Sequence, residues 1–223
     1  MMSNKQILRQ LYDEVHCCRC CPDVEASIVP RQLDERAASS KVALMAQAPS
    51  KSGVRKSGRH WIGEDGKLRR PGGVILDKHL RGIGYTVNPD DDALKRPYTT
   101  NVLHCWTGRA RKGSKRDRRP ARDELLACKR WWRKELELVR PGVLILLGKP
   151  AAESFSAMIG EKVSFSALLD RQGETIVIGE VELKRFTLPH PTAPYRRQKN
   201  DGTIELKSDI YEAVFRAVAS ALR

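Results

Sequence analysis

Six cysteines, at positions 17, 18, 20, 21, 105 and 128, are the residues of this 223-residue chain whose type and spacing most directly suggest chemistry. Four of them crowd into Cys17-Cys18-Arg19-Cys20-Cys21, which offers two overlapping C-x-x-C pairs, Cys17/Cys20 and Cys18/Cys21. A C-x-x-C puts two thiolates where one metal centre can take both, and Cys105 with Cys128 would complete a four-thiolate site. Zinc and a [4Fe–4S] cluster both accept four thiolates, and spacing alone does not separate them. A secreted disulfide scaffold would be shorter and would spread its cysteines more evenly. Buried free cysteine is the simpler account of an isolated Cys105 or Cys128. Beside CCRCC it is not.

The second chemical signal is charge. The formal net charge is +14, the pI is near 9.8, and the expected partner is a polyanion: DNA or another nucleic acid first, an anionic membrane or polyphosphate behind it. Residues 108–122, GRARKGSKRDRRPAR, hold eight basic residues and one acid, so half of the excess sits in one short insertion. Its glycines, its serine and the lack of any apolar residue larger than Ala mark a solvated loop. It is either a disordered basic insertion or a loop that lays Arg109, Arg111, Lys112, Lys115 and Arg116 along phosphates, with salt-sensitive, sequence-independent binding.

The remaining composition narrows the class. Apolar residues make up 40%, enough for a packed core and too many for a disordered polycation. No run approaches the roughly 20 apolar residues of a membrane helix, and Met1-Met2-Ser3-Asn4-Lys5-Gln6 lacks the apolar stretch of a secretory signal. The expectation is one soluble domain over 1–223, a monomer with no membrane partner, cytoplasmic and nucleoid-associated.

These residues must be positioned by elements that the hydrophobic pattern outlines. Helices are expected over Lys5 to His16, Gly73 to Arg81, Asp123 to Val139, Pro150 to Ile159 and Ser208 to Leu222. In the third of these, Leu125, Leu126, Trp132, Leu136 and Val139 are read as facing inward. Short apolar strands are expected over Val42 to Ala46, Tyr98 to Leu103, Val143 to Leu147 and Arg185 to Leu188. Alternating strands and helices imply an α/β fold, three-layer αβα, with a central four-stranded, mainly parallel sheet. In such sheets sites collect at the carboxyl ends of the strands. Here those ends are Gln47-Ala48-Pro49, Asn101 to Cys105, Gly148 and His190-Pro191.

Taken in order, these segments resemble the uracil-DNA glycosylase superfamily, on the branch that carries an iron–sulfur cluster (families four and five). The similarity lies in Glu14 to Cys21, in Thr100-Asn101-Val102-Leu103-His104-Cys105, in Arg119 to Cys128, in Leu147-Gly148 with Ala151-Ala152, and in His190-Pro191. Any one of these is weak, and their shared order is specific. The resemblance implies a [4Fe–4S] cluster, with zinc the lesser choice, on Cys18, Cys21, Cys105 and Cys128, leaving Cys17 and Cys20 as spares. It implies a DNA glycosylase that extrudes a damaged or modified pyrimidine, with uracil foremost. Trp61 would stack on the base, Asn101 would read its edge, and His190 would stabilise the charge growing on the leaving base. The loop Ala46 to Ser50 would form the pocket wall, with Ala48 against the base and Gln47 among the catalytic candidates. In Thr192 to Arg197, Tyr195 would be a wedge in the duplex and Arg196 and Arg197 would hold phosphates.

The sequence also departs from the family pattern. Ser50 to Arg59 contain no carboxylate, and in spacing this loop is nearer to family five, where an acid follows the aromatic segment; Glu64, with Asp65 beside it, falls there as the candidate for positioning water. His60-Trp61 stands where the family usually has Pro-Phe, and Lys67 to Pro71 is inserted. These changes would suit a bulky hypermodified base in phage DNA as an alternative substrate. A non-catalytic zinc- or cluster-bearing nucleic-acid binder is the third reading.

Overall fold

The structure is a computed structural model that describes residues 3–21, 35–50, 54–114, 117–199 and 201–223. Its frame is a five-stranded sheet of β1 (Val42–Ala46), β2 (Tyr98–Asn101), β3 (Val143–Leu147), β4 (Glu174–Ile178) and β5 (Val181–Leu188), in the order β2-β1-β3-β5-β4. The four expected strands run parallel, and β4 adds an antiparallel edge through a tight Gly179-Glu180 turn into β5. Every residue of β3 is buried, as the centre of a sheet covered on both faces requires.

Seven α-helices are described: α1 (Asn4–Cys17), the single-turn α2 (Val54–Ser57), α3 (Gly72–Arg81), α4 (Arg122–Val139), α5 (Lys149–Met158), α6 (Phe165–Asp170) and α7 (Lys207–Ala221). Helices α1, α4 and α5 pack together on one side of the sheet, and α3 and α7 pair on the other, giving three layers. Helix α1 starts at a capping box, Ser3 with Gln6, and buries Leu8, Leu11 and Val15. That stripe fixes where its C-terminal end delivers the cysteines.

In α4 the buried stripe is Leu125, Cys128, Trp132, Leu136 and Val139. Leu126 was expected inside, but it is 54% exposed because one residue along a helix turns about 100° away from that stripe. A short 3-10 helix (Glu35–Ala37) and a two-stranded hairpin of β6 (Arg196–Gln198) and β7 (Ile204–Leu206) complete the described elements. No helix among the described residues is long and apolar enough to cross a membrane.

Candidate functional site

A pocket of about 260 Å³ opens at the carboxyl ends of the parallel strands. One water needs roughly 10–15 Å³ on this measure, so the space admits a much larger guest. Ala46, Ala48 and Ser50 wall it from the end of β1, and His190 and Thr192 from the end of β5. His60 and Trp61 face them, with Arg69 and Arg70 alongside and Gly72 and Gly73 at the start of α3.

His190 is held from three directions. Gly148, at φ +92, closes β3 so near that a Cβ added there would lie 3.0 Å from the His190 Cβ. A glycine is required at that crossing. The turn after His190 is staked by α7, whose Lys207 Nζ donates to the carbonyls of Pro191 and Ala193, both at 2.9 Å, while Tyr211 donates to the carbonyl of Pro189 at 2.8 Å. Thr192 then donates its backbone N–H (3.3 Å) to Nδ1, with its hydroxyl at 2.8 Å. An N–H can only donate, so Nδ1 is unprotonated and the neutral ring carries its proton on Nε2. Burial, helped by the Lys207 charge, pulls His190 below the usual imidazole range and favours this neutral form.

Trp61 adopts a left-handed backbone, φ 65, which for a bulky residue persists only where its surroundings hold it. Its carbonyl accepts from Arg69 N, and its ring lies 6.2 Å from that of His190 at an interplanar angle of 43°. A Cβ on Gly72 would come within 2.9 Å of Thr192 and 3.5 Å of the Trp61 ring, so α3 can begin against the pocket only without a side chain there. Asn101 pairs in register with Ala46 at the end of β2. It is fully buried, its Oδ1 has no hydrogen-bond partner among the described residues, and its Nδ2 lies 3.4 Å from Nε2 of His60. A buried carbonyl oxygen with an open lone pair is ready for a donor on a guest.

Of the expected site residues, the pocket thus gathers Ala48, Trp61 and His190, with Asn101 behind His60. Others stand apart. Gln47 accepts from Leu103 N through its backbone, and its side chain does not line the pocket. Glu64 is exposed on the turn beyond Ile62, outside the lining, which contains no carboxylate among the described residues. Tyr195 is half-buried with its ring edge-on to Phe165 at 5.6 Å, so it packs inward. Arg197 is engaged by Glu205, Asp170 and Ser166 O, whereas Arg196 is exposed. Residues whose part was not foreseen are His60 and Thr192. Their signal was faint: each stands next to, or two positions from, a motif residue.

The basic loop is more ordered than a bare polycation. Arg109 pairs with Asp117 at 2.7 Å and covers the Trp106 ring, and Arg118 is bound by Glu124 and Thr107 O. Arg111 and Lys112 are exposed; Lys115 and Arg116 lie outside the described residues.

Cys18, Cys20, Cys21, Cys105 and Cys128 converge on one apolar cavity closed by Val15, Leu103 and Trp131. Burial first, then the neighbouring Cys21 and Cys18, pushes the Cys105 thiol up to about 12, and burial also raises Cys21 and Cys128. Such a cavity disfavours bare thiolates and suits them when a cationic centre neutralises them. No three His, Cys, Asp or Glu among the described residues are gathered as a single metal ion requires. Five cysteines around one cavity nevertheless offer the four sulfur donors that a zinc ion or a [4Fe–4S] cluster takes. Behind Cys128, His104 gives its backbone N–H to the sulfur (3.2 Å) and holds its ring Nδ1 3.4 Å from it, while Nε2 lies 3.0 Å from Glu135. Glu135 in turn accepts from Thr100, the neighbour of Asn101. This buried chain ties the cysteine cavity to the strand that ends in the pocket.

Comparison with known proteins decides the family. The model of the uracil DNA glycosylase superfamily matches residues 33–215, which is most of the chain. The chain belongs to that superfamily. Among curated superfamily members, it is 25% identical over 190 residues to the type-4 uracil-DNA glycosylase of Sulfurisphaera tokodaii, covering 83% of this chain and 74% of that protein. It is 24% identical over 184 residues to the type-5 uracil-DNA glycosylase of Pyrobaculum aerophilum, covering 82% and 73%. The superfamily match spans the pocket, Asn101, Cys105, Cys128 and His190, and stops short of the CCRCC segment.

Proposed function

We propose that this DNA glycosylase takes uracil, or a closely related pyrimidine, out of DNA and hydrolyses its N-glycosidic bond, leaving an abasic site. The observation that carries the reading is the meeting, in one pocket, of a neutral His190 with a fixed tautomer and Trp61, with Asn101 next to the lining residue His60. The extruded base stacks against Trp61. Asn101 accepts from a ring N–H on its edge, and Nε2–H of His190 donates to the carbonyl oxygen on which negative charge grows as the bond breaks. A donor that is already neutral and hydrogen-bonded on its far side needs no rearrangement when that charge appears. The sugar becomes oxocarbenium-like, and water then attacks it. Because the lining holds no carboxylate among the described residues, Glu64 acts at most from the rim. Arg69 and Arg70 beside the pocket, and Arg111 and Lys112 on the loop, supply cations for the phosphates.

Cys18, Cys21, Cys105 and Cys128 would hold a [4Fe–4S] cluster, whose contribution is to cross-link the end of α1, the end of β2 and α4. This braces the base of the basic loop, which runs between Cys105 and Cys128.

A panel of single- and double-stranded oligonucleotides, each with one uracil or one bulky 5-substituted pyrimidine, tests the reading. Alkali-labile sites at uracil are expected. Cleavage confined to the bulky bases would transfer the activity to hypermodified DNA, and no cleavage of any substrate would overturn it.

A further inference from the structure

The wall of the base pocket carries charge of one sign. Arg69 and Arg70 line it beside His60 and His190, and no carboxylate among the described residues joins them. The sequence around the pocket has the same bias: residues 37–63 hold no Asp or Glu, and neither do residues 66–76, which hold Lys67, Arg69 and Arg70. A plain uracil, neutral at pH 7, has no charge to set against a guanidinium drawn into a pocket.

The two arginines differ in setting. Residues 62–68 fold back on themselves, with Gly63 N donating to Lys67 O at 2.8 Å and Ile62 bridging Leu68. That return hands Arg69 to the pocket. Its N–H donates to Trp61 O at 2.7 Å, and its carbonyl accepts from Gly73 N at 2.8 Å. With the backbone held at both groups, the side chain is half-buried and its Nη1 lies 3.5 Å from Oγ of Ser50, on the wall that ends β1. The guanidinium thus reaches from the turn before α3 to the facing wall. Arg70 is exposed, as a contact to the DNA backbone requires.

We infer that the pocket selects pyrimidines bearing an acidic group on the 5-position, with Arg69 as the residue that reads it. The inference rests on the DNA glycosylase reading, and it turns Arg69 from a phosphate contact into a reader of the guest. A carboxylate leaves water for such a site only where a cation meets it, and a planar guanidinium meets it with two parallel N–H donors. C5 lies across the pyrimidine ring from C2, so a base whose C2 oxygen is on His190 turns its 5-position away from that residue. The β1 wall, two strands from β5 in the sheet, stands on the far side. A space of about 260 Å³ holds roughly twenty water-sized guests, so it admits the substituent along with the ring. The reaction is unchanged: water's oxygen bonds to C1′, the electron pair of the broken N1–C1′ bond leaves on the base, and a proton ends on N1. An acidic substituent makes that departure harder, because the new charge grows beside an existing one. Arg69 offsets it.

The test uses the full chain and duplexes bearing one 5-carboxyuracil or one 5-carboxamidouracil, which match in shape and differ in charge. An arabino fluorine at C2′ blocks hydrolysis, so affinity is read by anisotropy apart from excision. The parent is expected to bind the carboxylate duplex at least tenfold tighter than the carboxamide one. Arg69→Gln should erase that preference, Arg69→Lys should keep part of it, and Arg70→Gln should weaken both duplexes alike. On hydrolysable sugars, the carboxylate-to-carboxamide ratio of kcat/KM should fall at least tenfold from the parent to Arg69→Gln. Equal affinities in the parent overturn the inference, and so does a preference that survives Arg69→Gln or that Arg70→Gln abolishes as fully. A preference in binding with no excision of any base would remove the glycosylase reading and leave the pocket's charge selectivity in place.

Discussion

Thr192 turns its backbone N–H and its hydroxyl onto Nδ1 of His190, at 3.3 and 2.8 Å. Hydrogen bonds into that nitrogen favour the neutral ring, and burial with the Lys207 charge lowers its pKa further below 6.5. Uracil excision should therefore be flat through neutral pH and fall on the acid side, with its midpoint below 6.5. Thr192→Val removes one hydrogen bond to the neutral form, so the acid limb should move to higher pH. His190→Ala should cost about 10²–10³ in the single-turnover rate. The sign for stability is the same: the unfolded chain takes up this proton at higher pH than the folded one, so His190 contributes destabilisation as pH falls through 6.5. A rate that rises on acidification would mean that the imidazolium is the active form.

Gly148 and Gly160 share φ +92 but differ in surroundings. A Cβ at Gly148 meets His190 at 3.0 Å, and one at Gly160 meets nothing within 4 Å. Both Gly→Ala changes carry the backbone cost, about 1–3 kcal/mol, which a urea titration measures. Only Gly148→Ala should also reduce excision, by tenfold or more, because it displaces the His190 ring. Equal activity in the two variants would show that the ring's position is not set by this crossing.

The strands that build the pocket were legible because their burial is continuous: Val143 to Leu147 is an unbroken apolar run, and Val42 to Ala46 nearly so. Edge elements were not. In β4 only alternate residues are buried, and the β6–β7 hairpin is written mostly in charged residues around Asp201-Gly202, with Ile204 and Leu206 its only apolar alternation. The order of motifs was enough to nominate His190, Trp61, Ala48 and Asn101, but side-chain direction was not in it. Glu64 has the right spacing and an exposed setting, and Tyr195 follows the right motif and packs inward. His60 and Thr192 act through turns whose backbone path no pattern of residue types prescribes.

Asn101 keeps a buried oxygen without a partner among the described residues, while its amide nitrogen rests 3.4 Å from Nε2 of His60. Asn101→Ala removes the hydrogen bond to the base edge, a loss of about 1–3 kcal/mol, so kcat/KM for uracil should fall roughly ten- to a hundredfold. His60→Ala opens the wall shared with the smaller cavity on its other side, beside Tyr12 and Tyr98. It should raise activity on bulky 5-substituted pyrimidines relative to uracil. A ratio that stays constant across the two substrates would show that His60 does not set the size of the base. Glu64→Gln, outside the lining, is expected to change the rate less than threefold.

Cys128 and Cys17 are the extremes of the cysteine set, one buried and hydrogen-bonded twice by His104, the other exposed and outside the cavity. If four thiolates hold an iron–sulfur cluster, the purified protein should be brown, and Cys105→Ser or Cys128→Ser should lose the broad visible absorption and iron together. Cys17→Ser should keep both. Because the cluster would join α1, β2 and α4, its loss or chelation should lower the unfolding temperature and expose the 108–122 loop to protease before the sheet unfolds. Duplex affinity should drop with it, while the thermal midpoint of the cluster-free parent should match that of Cys128→Ser. A colourless protein with one equivalent of zinc, stable and DNA-binding, would replace the cluster by a single ion.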